Sequence, residues 1–205
     1  MKGLILVSLF YLMGCSGNSS KVSVPLDGYS KQPSIQIIGV KNSLEDKSQW
    51  QDFKIGFGLE QQLIEEIYQS NQFTLKEFPL SSPNDLNEFK QKLWTGEAIS
   101  QSNFDADFQV YIEILDHYRN RSRMGVALAN SQTIKTVLVL KIHLNETNSN
   151  RKWEVIGEGE AETKAGSLVF SFQEKSDVFA KNEASIASSQ ALKNAWSLLM
   201  FSPNR

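Results

Sequence analysis

One cysteine, two histidines and five prolines are all that the 205 residues contain of those types. A lone thiol, Cys15, cannot close a disulfide within the chain, and with no second cysteine or neighbouring histidine it cannot build a thiolate metal site. His117 and His143 form no HxH or HExxH pair, so neither is expected to hold a metal, and both read as surface or edge residues of strands. Charge of one sign is also lacking: the formal net charge is −2, which leaves no broad positive field for nucleic acid. There is no GxSxG nucleophile elbow and no phosphate-binding glycine loop with its lysine, and "GFG" and "GEG" are too short to stand for one. Catalysis and cofactors are therefore not expected.

What is present begins with an apolar run. Gly3 to Met13, preceded by Lys2, is of signal-peptide length and too short for a membrane-spanning helix of ~20 residues. The sequence Leu12-Met13-Gly14-Cys15 resembles a bacterial lipobox, in which the signal is cut before the cysteine and the new N-terminal cysteine is lipidated. The alternative is an ordinary secretory signal with an incidental cysteine. The resemblance implies a signal peptide over residues 1–14, lipid attachment at Cys15 and, because Ser16 rather than aspartate follows, an outer-membrane address with the domain facing the periplasm. Each buried methylene of the lipid adds roughly 0.8 kcal/mol to membrane anchoring. Residues 15–33, with Gly17, Asn18, Pro25, Gly28 and Pro33, are polar and turn-prone and read as a lipidated tether. Residues 34–205 are enough for one domain.

That domain opens at "SIQIIGV", Ser34 to Val40, a near-continuous apolar run expected of a buried strand, followed by a polar loop holding Asn42, Asp46 and Trp50. From about Phe53 the apolar spacing becomes helical, with Leu59, Leu63, Ile64, Ile67 and Tyr68 on one face. A short strand is expected at Phe73 and Leu75. The sequence Ser82-Pro83-Asn84-Asp85 then starts a second helix, which carries Leu86, Phe89, Leu93 and Trp94 and ends near Gly96. Three strands follow, in "ADFQVYIEILDHY", "TIKTVLVLKIHL" and "KWEVIGEGEAET", the last two joined by a hairpin turn over Asn145 to Arg151. In the third, Trp153, Val155, Gly157, Gly159 and Ala161 face one way and Glu154, Glu158, Glu160 and Glu162 the other. The small residues let a helix lie close, and the Ala-rich segment Glu183 to Phe201 is that helix, stopped by Pro203. The expected fold class is α/β in the α+β sense: a mixed, mainly antiparallel sheet with flanking helices.

The carboxylates of Glu158, Glu160 and Glu162 share a strand face and read as a solvated row. Arg119, Arg121 and Arg123 precede a soft apolar patch, Met124 to Ala129, between two strands. Two readings stay open for it, a hairpin loop or a surface that inserts into a membrane or partner.

The order of these elements resembles the curli secretion lipoprotein CsgG and its relatives. The resemblance is carried by the lipobox, "IQIIGVKN", "SNQFTLKE", "FDADFQVYIEI", "GVALANSQTIKTVLVLKIHL", "AGSLVFSFQEK" and "NEASIASSQALKNAW", and spans most of the mature chain. It implies an α/β periplasmic domain in a homo-oligomeric ring, two membrane hairpins per subunit, and a constriction loop that passes unfolded polypeptide. Carried over, the hairpins fall at Asp116 to Ile134 and Glu162 to Asp177, with Leu168, Phe170 and Phe172 aligned toward lipid. The constriction loop falls at Leu44 to Phe53, with Trp50 and Phe53 as aromatic lining, and Arg119, Arg121, Arg123 and Met124 become pore or partner contacts. Two functions follow: an oligomeric secretion channel or export component of the outer membrane, or a tethered periplasmic interaction domain such as an activator of a cell-wall synthase. In either case the partners are the membrane, through the lipid, and a secreted or envelope protein.

The lipid assignment predicts that Cys15→Ser releases the protein from the membrane fraction. Cell fractionation checks this, and a variant that still pellets with outer membranes places the anchor elsewhere.

Overall fold

The computed structural model describes residues 20–44, 53–77, 83–96, 105–126, 129–149, 151–167 and 176–202. The elements run β1 (Val22–Pro25), β2 (Ser34–Asn42), α1 (Phe53–Ser70), β3 (Thr74–Leu75), α2 (Pro83–Thr95), β4 (Phe108–Val126), β5 (Ala129–Glu146), β6 (Lys152–Ser167), α3 (Ser176–Trp196) and β7 (Leu199–Ser202). Five strands form one sheet in the order β3-β2-β4-β5-β6, parallel across β3-β2-β4 and antiparallel across β4-β5-β6. This is the mixed, mainly antiparallel α+β architecture expected from the sequence.

The sheet is built from period-two alternation. Phe108, Val110, Ile112 and Ile114 on β4 are fully buried, as are Leu138, Leu140, Ile142 and Leu144 on β5. In register, Val110 lies opposite Leu144, Ile112 opposite Ile142 and Ile114 opposite Leu140. Each such side chain contributes about 1.5–3 kcal/mol by leaving water. The ladder shifts between Ile114 and Asp116. An extra residue there reverses the parity of β4, so that His117 and Arg119, opposite Leu138 and Thr136, take over the face that Ile112 and Ile114 held.

Helix α1 covers β2 with Leu59, Leu63 and Ile67, one residue per turn and all buried. Tyr68, expected on the same stripe, is 65% exposed; one residue past Ile67 is a rotation of about 100°, which carries it off the buried face. The helix ends on Asn71, whose φ of 51° and N–H bond to the Tyr68 carbonyl form a left-handed cap. Helix α2 ends at Gly96 as expected, with φ +80° and its N–H bonded to the Leu93 carbonyl. Asn42, read as part of a loop, closes β2 and is buried, its Oδ1 accepting the Leu44 N–H.

Helix α3 lies against β6 along a seam of small residues. A Cβ added at Gly157 would stand 2.1 Å from the Ala191 carbonyl oxygen and 2.5 Å from the Ala195 nitrogen. One at Gly159 would stand 2.0 Å from the Ala187 carbonyl oxygen. The helix also ties off the outer edge of β6, since the Glu160 N–H donates to Gln190 Oε1 and Asn194 Nδ2 donates to the Glu158 carbonyl.

Two ends differ from expectation. Helix α3 starts at Ser176 and stops at Trp196, and Leu199–Ser202 is strand rather than helix, so Pro203 is not its stop. The stretch read as a free tether contains β1, which pairs in parallel with β7, Val22 opposite Leu199 and Val24 opposite Phe201. The buried side chains of Val24 and Leu26 are what dock it.

Gly157→Ala and Gly159→Ala must push the helix backbone away, and each is expected to cost about 3 kcal/mol or more. Gly58→Ala, in α1 with open space at its Cβ, should instead stabilise by about 1 kcal/mol. Urea midpoints compare the three, and equal shifts for all of them would contradict the seam.

Candidate functional site

Strands β4, β5 and β6 run on as a three-stranded ribbon. From Arg119 opposite Thr136, the β4–β5 ladder continues without a break to Val126 opposite Ala129, and β6 accompanies it to Ser167 opposite Asn130. Arg121 and Arg123 occupy alternate positions along it, opposite Ile134 and Gln132, and Met124 lies opposite Ser131. The arginine stretch is thus paired strand, not an open loop.

The ribbon is rooted on α3. Glu183 is 2% exposed and accepts from Arg119 Nη2 at 3.3 Å and from Thr136 Oγ1 at 3.1 Å, all on Oε2. Glu183 Oε1 and Arg119 Nε are buried without a hydrogen bond. Two residues before Arg119, burial and then the Arg119 charge hold His117 below the usual histidine range, against the pull of Asp116. A hydrogen-bonded charge pair in this position fixes where α3 meets the ribbon more than it stabilises the fold.

On the opposite face, a polar row crosses four strands. Lys41 of β2 reaches Glu113 of β4 at 2.7 Å, and Ser43 Oγ donates to the same oxygen at 2.5 Å. The second Glu113 oxygen lies 2.8 Å from His143 Nε2 on β5, whose Nδ1 lies 3.0 Å from Glu154 on β6. Lys141 completes the row at 3.2 Å from Glu154. Burial alone would raise the Glu113 carboxyl, but the Lys41, Ser43 and His143 hydrogen bonds hold it down at about 2. The Tyr111 ring stacks on the imidazole, with centroids 4.2 Å apart and planes at 8°. His143 is therefore not the surface residue expected from sequence: it is 7% exposed and central. Its partners come from the strands on either side, Tyr111 and Glu113 from β4 and Glu154 from β6, so no local spacing announced it. Beside this row the face carries Ile156 and Tyr118, both about half exposed, and Glu158, Glu160 and Glu162 are exposed as expected. Glu160 is paired with Lys135 at 2.7 Å.

At the other end of the sheet, Tyr29 donates to Glu146 at 2.7 Å, and Arg151 grips the same carboxylate at 2.6 and 2.9 Å. The Arg151 bond, with Ser149 and Tyr29, lowers Glu146 to about 2 against the effect of burial. Rings continue the anchorage: Phe201 to Phe73 at 4.9 Å and Phe73 to Phe108 at 5.3 Å. The β1–β7 pair is thereby packed beside the start of β4.

Of the pore, contact and hairpin residues that the resemblance nominates, only Arg119 joins a described side-chain cluster. Phe53 is the first residue of α1. Cys15, Trp50, Leu168, Phe170 and Phe172 lie outside the described residues, as does most of the loop from Leu44 to Phe53. The second hairpin, placed at Glu162 to Asp177, is corrected at its end: β6 reaches Ser167, but Asp177 is already in α3. Among the described residues no helix is long and apolar enough to cross a membrane.

No family model and no curated protein matches the chain. Solved structures similar to it include lipoprotein GNA1162 from Neisseria meningitidis, at 14% identity over 73% of this chain and 94% of that one, with a TM-score of 0.36. The hypothetical protein CT253 from Chlamydia trachomatis is similar at 12% identity over 82% and 92%, with a TM-score of 0.32. A minor lipoprotein from Acinetobacter baumannii is similar at 8% identity over 81% and 91%, also with a TM-score of 0.32.

The carboxylate network predicts acid sensitivity. Glu113 and Glu146 titrate near 2 when folded and near ~4.3 when unfolded. Their contribution is thus complete above about pH 5 and is lost as pH falls toward 2. Glu113→Gln should flatten the fall of the urea midpoint over that window, and an unchanged slope would show that Glu113 does not carry it.

Proposed function

We propose that this chain is a lipid-anchored lipoprotein of the bacterial outer membrane that acts by protein contact rather than by catalysis, its ribbon being the contact element directed away from the anchoring membrane. The observation that carries this reading is the docking of β1 on β7 beside the start of β4. From a lipidated Cys15 to Val22 the backbone can span at most ~25 Å. The 19 residues of β4, at about 3.3 Å each, carry the ribbon tip roughly 60 Å from Phe108. A membrane holding Cys15 is therefore near the β1 pole, and the ribbon tip, at the far end of β4, has the length to stand clear of it in the periplasm. The half-exposed Tyr118 and Ile156 lie on the sheet face opposite α3, and they offer apolar contact to an envelope partner.

A second reading, the oligomeric secretion channel implied by the CsgG resemblance, is favoured by one observation: the unbroken pairing of β4 and β5 to Val126 and Ala129. It requires the ribbon in lipid, and past Arg119 the strands advance only about 23 Å, while a membrane strand needs roughly 9 to 11 residues.

Placing a fluorophore at Ser122→Cys separates the two readings, because the native Cys15 thiol is consumed by acylation. With the lipidated chain in outer-membrane lipid vesicles, we expect quenching by aqueous iodide and not by lipid-borne quenchers, together with a monomer or dimer mass by light scattering in mild detergent. Lipid quenching with a ring-sized mass would overturn the contact reading in favour of the channel.

A further inference from the structure

Away from the ribbon, where α1 and α3 both end, the surface opens into a cleft of about 350 Å³. Gln69 and Ser70 from the last turn of α1 line it together with Gln72, and Trp196, Leu199 and Phe201 supply an apolar wall. Glu66 is the one ionisable residue of that lining, and it makes no hydrogen bond or ion pair with another described residue.

Three features of this cleft favour a positive charge. Helix α1, of 18 residues, terminates at it, and the carbonyl end of a helix attracts cations; α3, which also ends there, already carries Lys193 in its last turn. The last turn of α1 contains no basic residue to meet that end. The partly exposed Phe201 ring, 5.4 Å from Trp196, which is itself only 6% exposed, brings aromatic surface against which an alkyl stem can pack and a cation can sit. A volume at the small end of ligand pockets suits one side chain better than a cofactor.

We propose that this cleft receives a basic side chain, a lysine or arginine, from a partner polypeptide. The stem lies along Trp196 and Phe201 and the charged head faces Glu66 and the end of α1. This goes beyond the ribbon-contact reading and does not depend on it, since the cleft lies at the opposite pole of α3. The net charge of −2 makes the chain a mild attractor of such partners rather than a repeller.

The test titrates the full lipidated chain, in mild detergent, with Nα-acetyl-lysine methylamide and with the norleucine analogue, which has the stem but no charge. The readout is the indole N–H resonance of Trp196, assigned by its loss in Trp196→Phe. A saturable shift with the lysine compound, absent with norleucine and about fivefold weaker in Glu66→Gln, is expected. Gln69→Lys, which supplies the missing cation from α1 itself, should abolish the shift while raising the thermal midpoint. No saturable shift, an equal response to norleucine, or binding unaffected by both variants would overturn the assignment.

Discussion

The close approach of α3 to β6 is the constraint on which the rest of the molecule depends. Gly157 and Gly159 leave room for helix backbone where any side chain would stand about 2 Å from a carbonyl oxygen. That approach puts Ala187, Ala191 and Ala195 in full burial and sets the line along which α3 runs. At one end of that line Glu183 meets Arg119 and Thr136; at the other, Trp196 leads directly into β7, on which β1 docks. A small helix displacement would therefore disturb both poles at once, because close-packed interiors transmit strain rather than absorb it.

The polar interactions do a different job from the apolar ones. A parity change at the β4 bulge decides whether Arg119 faces α3 or solvent, and a one-residue slip would reverse every side chain beyond it. The Arg119–Glu183–Thr136 cluster on one face and the Lys41–Glu113–His143–Glu154 row on the other reject the slipped register, since it would bury charges without partners. Their worth lies in this selection more than in net stability: breaking a buried pair by removing one partner costs about 3–5 kcal/mol, while the intact pair contributes little.

Much of the fold was legible because period and residue size are local signals. The alternation in "ADFQVYIEI" and "TVLVLKIHL", the four-residue spacing of Leu59, Leu63 and Ile67, and the Gly157-x-Gly159 row facing an alanine stripe each pointed to the element that forms. Apart from Tyr68, the main misreadings share one cause, which is long-range pairing. Leu199 to Ser202 continue a helical pattern and become strand because β1 is there to pair with them; the polar composition around β1 hid Val22 and Val24. His143 and Glu183 gave no local hint of their partners, which lie 30 and 64 residues away in Glu113 and Arg119. The arginine alternation was visible, but the single partner that gives Arg119 a role was not.

The side chains of Gln190 and Asn194, which tie off β6 at Glu158 and Glu160, have a consequence for life at high local concentration. A strand edge with free N–H and carbonyl groups is a template for another chain, and proteins crowded on a membrane surface meet such edges often. Here the helix that seals the core also occupies two adjacent hydrogen-bonding groups on the open side of β6, the Glu160 N–H and the Glu158 carbonyl. The two amides thus interrupt the β6 edge midway along its length, where an incoming strand would otherwise find a continuous ladder.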